Sequence, residues 1–597
     1  RPPHPFHTKA YSQTSTRYRQ GSIGLEKAAY CLENDTRGHS GVTYADNITQ
    51  QIGTRECQLF RQKFFNRFEP VCHEVAHEYV RISARRSYVE ANRFLNSLSN
   101  ELQIHDLNLT TDLKNLSNFA DKMASLCTRI FVTHQNNKLH CVKLCQELFL
   151  KYAMSPPLST DIDLFERQVC ESLYWLRKVK SLALQAMEHV RRQCSVINNA
   201  QSPYCSDSAL KDWTFTQEQN RAYLENTYIQ NEAGESISLA EAAKGNVSNP
   251  KVRRCEMMVR IRGFEEVAAI KGHVGDFYTL TTPSKMHSHH KNGQQNPKYN
   301  GTTTKAANEY MQNVWQRIRA KLDRDDLRIY GLRVVEPHHD STPHWHLMLF
   351  MHPDDRLQIR EIITRYALAE DSSEAGADKY RVKCTEIDPN RGSASGYIAK
   401  YIAKNIDGEF LDADSYGNDA KISAKKITAW ASLNKIRQFQ FIGSPSVSLW
   451  RELRKFKDDY PEELAPYAEP ANRSDWAAFV LAMGGVNLPR SNRPIHLEYE
   501  RESIEQIDRS TGEVTQSFNR GSSQRLSGYR LINAFIPIIK KHWSIIQTPP
   551  HTDYQPSTRS AGGLLVACKG GSRRWRTEVA YSHRKEPPSF GAFLGLV

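Results

Sequence analysis

Two histidines separated by one residue, His344 and His346, close the stretch Glu336-Pro337-His338-His339-Asp340-Ser341-Thr342-Pro343-His344-Trp345-His346. The apolar run Ile329-Tyr330-Gly331-Leu332-Arg333-Val334-Val335 before it has strand composition, as does Trp345 to Met351. The Pro, Asp, Ser and Thr between them have turn chemistry, so the expectation is an antiparallel hairpin. Alternation along a strand puts His344 and His346 on one face, with Trp345, Leu347 and Leu349 on the other. A hairpin closing around Ser341 sets Glu336 across from His344. Two imidazoles and a carboxylate make a site for a divalent cation, Mg2+ or Mn2+, with positions left for a substrate oxygen. Taken alone, such a pair is more often a surface hairpin with incidental histidines.

A second stretch shifts that balance. Gly396-Tyr397-Ile398-Ala399-Lys400-Tyr401-Ile402-Ala403-Lys404-Asn405, wound as a helix, collects Tyr397, Lys400, Tyr401 and Lys404 on one stripe. Ile398, Ala399, Ile402, Ala403 and Ile406 fall mainly on the opposite side, suited to packing on a sheet. Gly392, Ser393, Ser395 and Gly396 provide a capping lead-in. Tyrosine beside a metal suggests phosphoryl transfer. A phenol with a pKa near ~10 is a poor nucleophile until a cation or a polarised electrophile assists it. Lys400 and Lys404 are placed to hold phosphates or to stabilise the phenolate. The product would be a 5′-phosphotyrosine link to DNA and a free 3′-hydroxyl that can prime synthesis.

These motifs resemble those of rolling-circle replication initiators. His344-Trp345-His346 looks like their His-hydrophobic-His motif, and the helix resembles their tyrosine motif in a two-tyrosine version. Upstream, Phe277-Tyr278-Thr279-Leu280-Thr281-Thr282-Pro283-Ser284 resembles the first motif of the superfamily. The surroundings are most similar to the phage replication gene A protein family, from about Tyr204 to about Trp450. The resemblance implies a metal-dependent DNA nickase that cuts a phage origin. Tyr397 and Tyr401 would act as alternating nucleophiles, with His344, His346 and Glu336 as metal ligands. It implies single-stranded or supercoiled origin DNA as partner, a separate host helicase and replication machinery, and the bacterial cytoplasm as location. A relaxase or transposase of the same superfamily would share the chemistry. A non-catalytic origin-binding protein would share only the basic surface.

The elements that position these residues belong to a chain of 597 residues with net charge +14 and pI about 9.1, which favours a polyanionic partner. Hydrophobic content of 39% and mean hydropathy −0.62 fit globular domains with polar connections. No run of eighteen apolar residues is present, and no apolar signal segment opens the chain. The start Arg1-Pro2-Pro3, without methionine, reads as a fragment or a trimmed product. Twelve scattered cysteines with no C-x-x-C pair fit reduced thiols.

The fold expectation is α+β: an antiparallel-sheet nicking domain flanked by helices, after a mostly helical N-terminal region. Residues 1–53 read as a polar lead-in, 54–200 as helical and 201–456 as the nicking domain. Residues 457–548 read as a small C-terminal region, with a strand from Ile495 to Glu502 pairing toward Gly512-Glu513-Val514. The Gly/Ser/Arg-rich 549–597 reads as a disordered tail. Helices are expected at Asn308–Leu327 and Leu357–Tyr366, and a strand at Tyr380–Ile387.

Three other features invite function. His73-Glu74-Val75-Ala76-His77 matches the zinc-protease pattern, but no glycine turn with a third histidine follows it as in the extended signature, and a helix-surface pair is the preferred reading. His287, His289 and His290 read as part of a mobile polar loop near DNA. Lys425 to Phe456 reads as a basic, aromatic extension of the DNA surface. No G-x-x-x-x-G-K-[ST] occurs, so the chain shows no P-loop of its own.

Overall fold

The apolar runs around the paired histidines become the middle of a five-stranded antiparallel sheet. In chain order its strands are β1 (Val274–Thr281), β2 (Tyr330–Pro337), β3 (Pro343–Met351), β4 (Val382–Ile387) and β5 (Phe439–Ile442). Their order across the sheet is β4-β1-β3-β2-β5. The computed structural model describes residues 41–500, apart from 391, 410, 415 and 458, and the segments 503–507, 514–518, 525–538, 541–546 and 574–577.

Helices cover both faces of the sheet. On one lie α1 (Pro250–Lys271) and α4 (Ala394–Ile406), whose Ile261, Phe264, Val267, Ile398 and Ile402 pack with Leu332, Val334, Met348 and Phe350. On the other, α2 (Thr304–Arg324), α3 (Arg356–Ala367) and α5 (Ala420–Leu433) bury Trp345, Leu347 and Leu349. The two-residue period along β3 is thus used on both sides, and the hairpin strands are buried throughout. Trp476 of α6 (Trp476–Ala482) lies against Gly263 of α1, where a Cβ would stand 2.6 Å from the tryptophan Cβ. Gly331 has φ 154° on β2, and a Cβ there would meet the Met348 carbonyl oxygen at 1.9 Å, so only glycine fits.

The helix expected at Asn308–Leu327 is α2, shifted toward its Thr303 cap, whose side chain accepts from the Ala306 N–H. The strand expected from Tyr380 starts only at Val382, because Ala377–Tyr380 forms a helical turn after left-handed Gly376. The pairing expected near the C-terminus is different: Ile495–Glu500 pairs with Arg525–Leu531, while Ser503–Ile507 takes Val514–Phe518 as its own hairpin partner. The strand Arg574–Thr577 pairs with Lys541–Ile546, which also pairs with Tyr228–Asn231. The rest of the expected tail lies outside the described residues, as do residues 1–40 of the lead-in. Gly41–Thr49, within the expected polar lead-in, is a helix.

The chain divides into two compact units, 1–116 and 117–597. Helices Arg55–Arg67, Glu69–Arg85 and Tyr88–Glu101 build the first around buried Arg61, which donates to the Tyr79 hydroxyl and the Thr49 carbonyl. In the second, the helix Ser172–Gln193 ends by sending Arg192 into the sheet domain. No described helix is long and apolar enough to cross a membrane.

Candidate metal and tyrosine centre

The hairpin closes through a five-residue turn, with the His338 N–H donating to the Thr342 carbonyl at 2.7 Å and Ser341 at φ 71°. Its register pairs Glu336 with His344, as the sequence implies, and β1 sets Thr279 across from His346. Asp340 pins the turn from within. It accepts from the Thr342 and Ser288 N–H groups and the Thr342 hydroxyl, and Arg192 Nη2 lies 3.5 Å away. Burial would push the Asp340 carboxyl up, but His287 and Arg192 outweigh it and hold it well below the carboxylate range.

The loop carrying His287, His289 and His290 is therefore not a mobile strip. Ser288 and His289 are buried, Arg192 donates to the Met286 carbonyl at 2.8 Å, and Asn296 donates to the Ser284 and His287 carbonyls. The loop buttresses the turn. The expected aromatic DNA surface beyond Lys425 is likewise corrected, because Trp430, Phe439 and Trp450 are core residues.

On the α4 face, ligand atoms of Glu336, His344 and His346 lie within 4.8 Å of one another. This is the one such group of three or more His, Cys, Asp or Glu among the described residues. Glu336 Oε1 is 2.8 Å from His346 Nε2 and 3.2 Å from His344 Nε2. His346 Nδ1 meets the Thr279 hydroxyl at 3.1 Å, which fixes the ring and aims Nε2 inward. The His344 ring stacks on His338 at 4.0 Å. Burial pushes His344 down to about 4, so at neutral pH its imidazole offers a lone pair. Burial alone would raise Glu336, but Lys404 and the hydrogen bonds from His344 and His346 hold it well below the usual range. One carboxylate oxygen between two imidazole nitrogens is a donor set that suits a divalent cation.

The tyrosine helix is held at both ends. At its start the Ser393 side chain caps the Gly396 N–H, and Glu265 of α1 accepts from the Ala394 and Ser395 N–H groups and the Ser395 hydroxyl. Ile398 and Ile402 anchor its apolar side in the core. Its other side brings Tyr401 against the cation site, with the Tyr401 ring 4.1 Å from that of His346 and stacked on Phe277 at 5.4 Å. Tyr397 sits one turn out, edge-on to Phe277 at 4.5 Å and 41% exposed. Lys400 Nζ lies 5.0 Å and 5.1 Å from the centroids of Tyr397 and Tyr401. Burial is the main cause that raises the Tyr401 phenol pKa, so that hydroxyl needs a cation nearby to ionise.

All seven residues singled out in the sequence thus meet at one place, although Lys404 turns inward to Glu336 Oε2 at 3.3 Å rather than standing beside Lys400. Sequence reasoning missed Asn405, Glu265, Asp340 and Arg192. Asn405 was visible as a polar residue on the aliphatic side of an amphipathic helix; Glu265 and Arg192 act across long sequence separations, as does the bond from Ser288 to Asp340.

The sequence profile of the bacteriophage replication gene A protein (GPA) family matches residues 111–409, half of the chain. The chain is 37% identical to the replication gene A protein of Escherichia phage 186, over 70% of this chain and 63% of that one. It is 38% identical to the probable replication protein P12 of Pseudoalteromonas phage PM2, over 59% of this chain and 56% of the relative. It is 34% identical to a probable replication endonuclease from a prophage-like region of Salmonella paratyphi A, over 56% and 44%. The chain therefore spans between 44% and 63% of the length of these relatives. No solved structure matches it significantly.

Proposed function

The chain belongs to the bacteriophage replication gene A protein family, and from that premise we propose that it is a site- and strand-specific DNA endonuclease that starts rolling-circle replication by tyrosine transesterification. The observation that carries the reading is the contact of Tyr401 with His346, which puts a nucleophile beside a two-histidine, one-carboxylate site. The naming of a relative as a probable replication endonuclease agrees with it.

His344, His346 and Glu336 would hold Mg2+ or Mn2+. A divalent ion bound there supplies polarisation of the scissile phosphate and offsets transition-state charge. Tyr401 attacks phosphorus through its phenol oxygen. The P–O3′ bond breaks, the 5′-phosphate stays on tyrosine, and the proton the phenol gives up is balanced, by way of solvent, by the one the departing 3′-oxygen takes to become a primer hydroxyl. Lys400 steadies the developing phenolate from the exposed side. Lys404 neutralises Glu336 from within the helix and so keeps the carboxylate ionised beside the imidazoles. Tyr397, one turn out and on the same Phe277 platform, is placed to receive the strand in the second transfer. The substrate is single-stranded or supercoiled origin DNA in a bacterial cytoplasm, and unwinding falls to a separate host helicase.

The test is strand cutting by the full chain on single-stranded DNA from the phage or prophage genome that encodes it. The reading predicts cuts with a polymerase-extendable 3′-end in Mn2+ and none in EDTA. Cutting that persists in EDTA, or that leaves a free 5′-phosphate, contradicts it.

A further inference from the structure

Asn405 ends the tyrosine motif, one helical turn after Tyr401. It is 1% exposed, and every polar atom of its amide is used. Nδ2 donates to Glu336 Oε2 at 3.1 Å and to the Tyr401 carbonyl at 2.7 Å. Oδ1 accepts from Gln438 Nε2 at 3.3 Å. Gln438 is itself buried, and its carbonyl accepts from the Val335 N–H at 2.7 Å, which fixes its backbone beside β2 just before β5 begins. The two acceptors, Glu336 and the Tyr401 carbonyl, require the Asn405 nitrogen on their side, and the Gln438 donor takes the oxygen left on the other, so the amide is held in one orientation.

The two oxygens of Glu336 are thereby given different tasks. Oε2 is held by Lys404 and Asn405 from the helix, and Oε1 is turned to both imidazole nitrogens. An ammonium supplies charge from any direction, whereas an amide fixed at both ends supplies direction. We infer that Asn405 is a positioning residue that, oriented by Gln438, fixes the Glu336 carboxylate for cation binding and ties the cation site to the segment carrying Tyr401. This rests on the reading of Glu336, His344 and His346 as cation ligands.

Mn2+ titration of the full chain without DNA, read by electron paramagnetic resonance, tests it. Partners of metal ligands are typically worth about 10–100-fold in affinity, and Asn405→Ala is expected to weaken Mn2+ binding within that range. Gln438→Ala is expected to weaken it less. The double variant should bind no more weakly than Asn405→Ala, because Gln438 acts through Asn405. Glu265→Ala loosens the same helix at its other end without touching Glu336, and should leave Mn2+ affinity unchanged. An affinity for Asn405→Ala equal to wild type, or losses that multiply in the double variant, overturns the inference. So does an equal loss in Glu265→Ala, which would mean that any disturbance of the helix suffices. Should Asn405→Ala fail to fold, Gln438→Ala decides, since unchanged affinity there overturns the assignment. Absence of Mn2+ binding by the wild type removes the cation reading itself, a different result from wild-type binding that the variants share.

Discussion

Each of the two compact units carries a histidine pair on one face of a regular element, and the pairs differ in everything except that. His73 and His77 lie one turn apart on the helix Glu69–Arg85, their rings 4.9 Å from each other. Tyr44 covers them, its ring stacked on His73 at 4.5 Å and its hydroxyl 3.1 Å from His77 Nε2. Among the described residues, no carboxylate completes a group of three there. His344 and His346 lie on a strand with both neighbours paired, and the opposite strand delivers Glu336 between their nitrogens. Spacing alone makes a pair, and a site needs a third ligand whose direction other residues control. Glu74 of the helical motif is near enough to act on His77 as a charge, but it does not join the two histidines in a group of three ligand atoms. The Glu336 of the hairpin is fixed across the register.

The comparison can be broken most decisively by exchanging the pairs' fates. His346→Ala should abolish Mn2+ binding and reduce DNA cutting by more than the roughly 100-fold that a partner of a ligand is worth. His77→Ala should change neither, and should cost stability only modestly through the lost Tyr44 contact. Equal effects of the two substitutions on Mn2+ binding, measured by titration, would dissolve the distinction.

A smaller effect sharpens the role of the scaffold. Glu265→Ala removes the acceptor for two N–H groups at the start of the tyrosine helix. Loss of a cap costs about 0.5–2 kcal/mol, so denaturant melts should show an unfolding free energy lower by that amount. Cutting should fall while Mn2+ affinity holds, because the helix frays at the Tyr397 end. Full cutting activity at reduced stability would show that this end of the helix need not be held.

The smallest effect concerns pH. Asp276 on β1 is fully buried, and its carboxyl takes bonds from Arg356 and Arg360 at 2.6–3.0 Å. Burial raises its pKa, but the two arginines and Tyr278 outweigh that, and the net shift is downward. A depressed carboxylate adds stability that is complete above its unfolded value and is lost as pH falls through its folded value. Stability of the wild type should hold to about pH 4 and decline below it. Asp276→Asn should be less stable at neutral pH and show a flatter acid limb in melts between about pH 5 and pH 2. An unchanged acid limb would assign the decline to other carboxylates.

The parts of this molecule legible in the sequence are those whose period matches an element. The hairpin register placed Glu336 opposite His344 because turn residues and alternation are local. The tyrosine stripe followed from i, i+3, i+4 spacing, and Ile398 and Ile402 took the core as expected. What stayed hidden depends on contacts across the fold. Nothing near Arg192 announces that it will support Thr342, and nothing near Glu265 marks it as the cap of a helix that starts at Ala394. The histidine loop looked mobile because it is rich in Gly, Asn and Gln, but Asp340 and Arg192 supply the partners that order it. Trp430 and Trp450 looked like stacking platforms because aromatics serve both cores and nucleic-acid surfaces, and composition does not separate the two.

The central claim is that Tyr401 beside His346 is the attacking group, with Tyr397 in reserve. The direct measurement is to trap the full chain on single-stranded origin DNA with Mn2+ and to locate the attached nucleotide by peptide mass spectrometry. The account predicts a DNA adduct on Tyr401 in the first cleavage. It also predicts strong loss of adduct in Tyr401→Phe, a smaller loss in Tyr397→Phe, and none formed by the double variant or in EDTA. An adduct that survives in the double variant, or DNA bound tightly with no adduct under any metal, would contradict it.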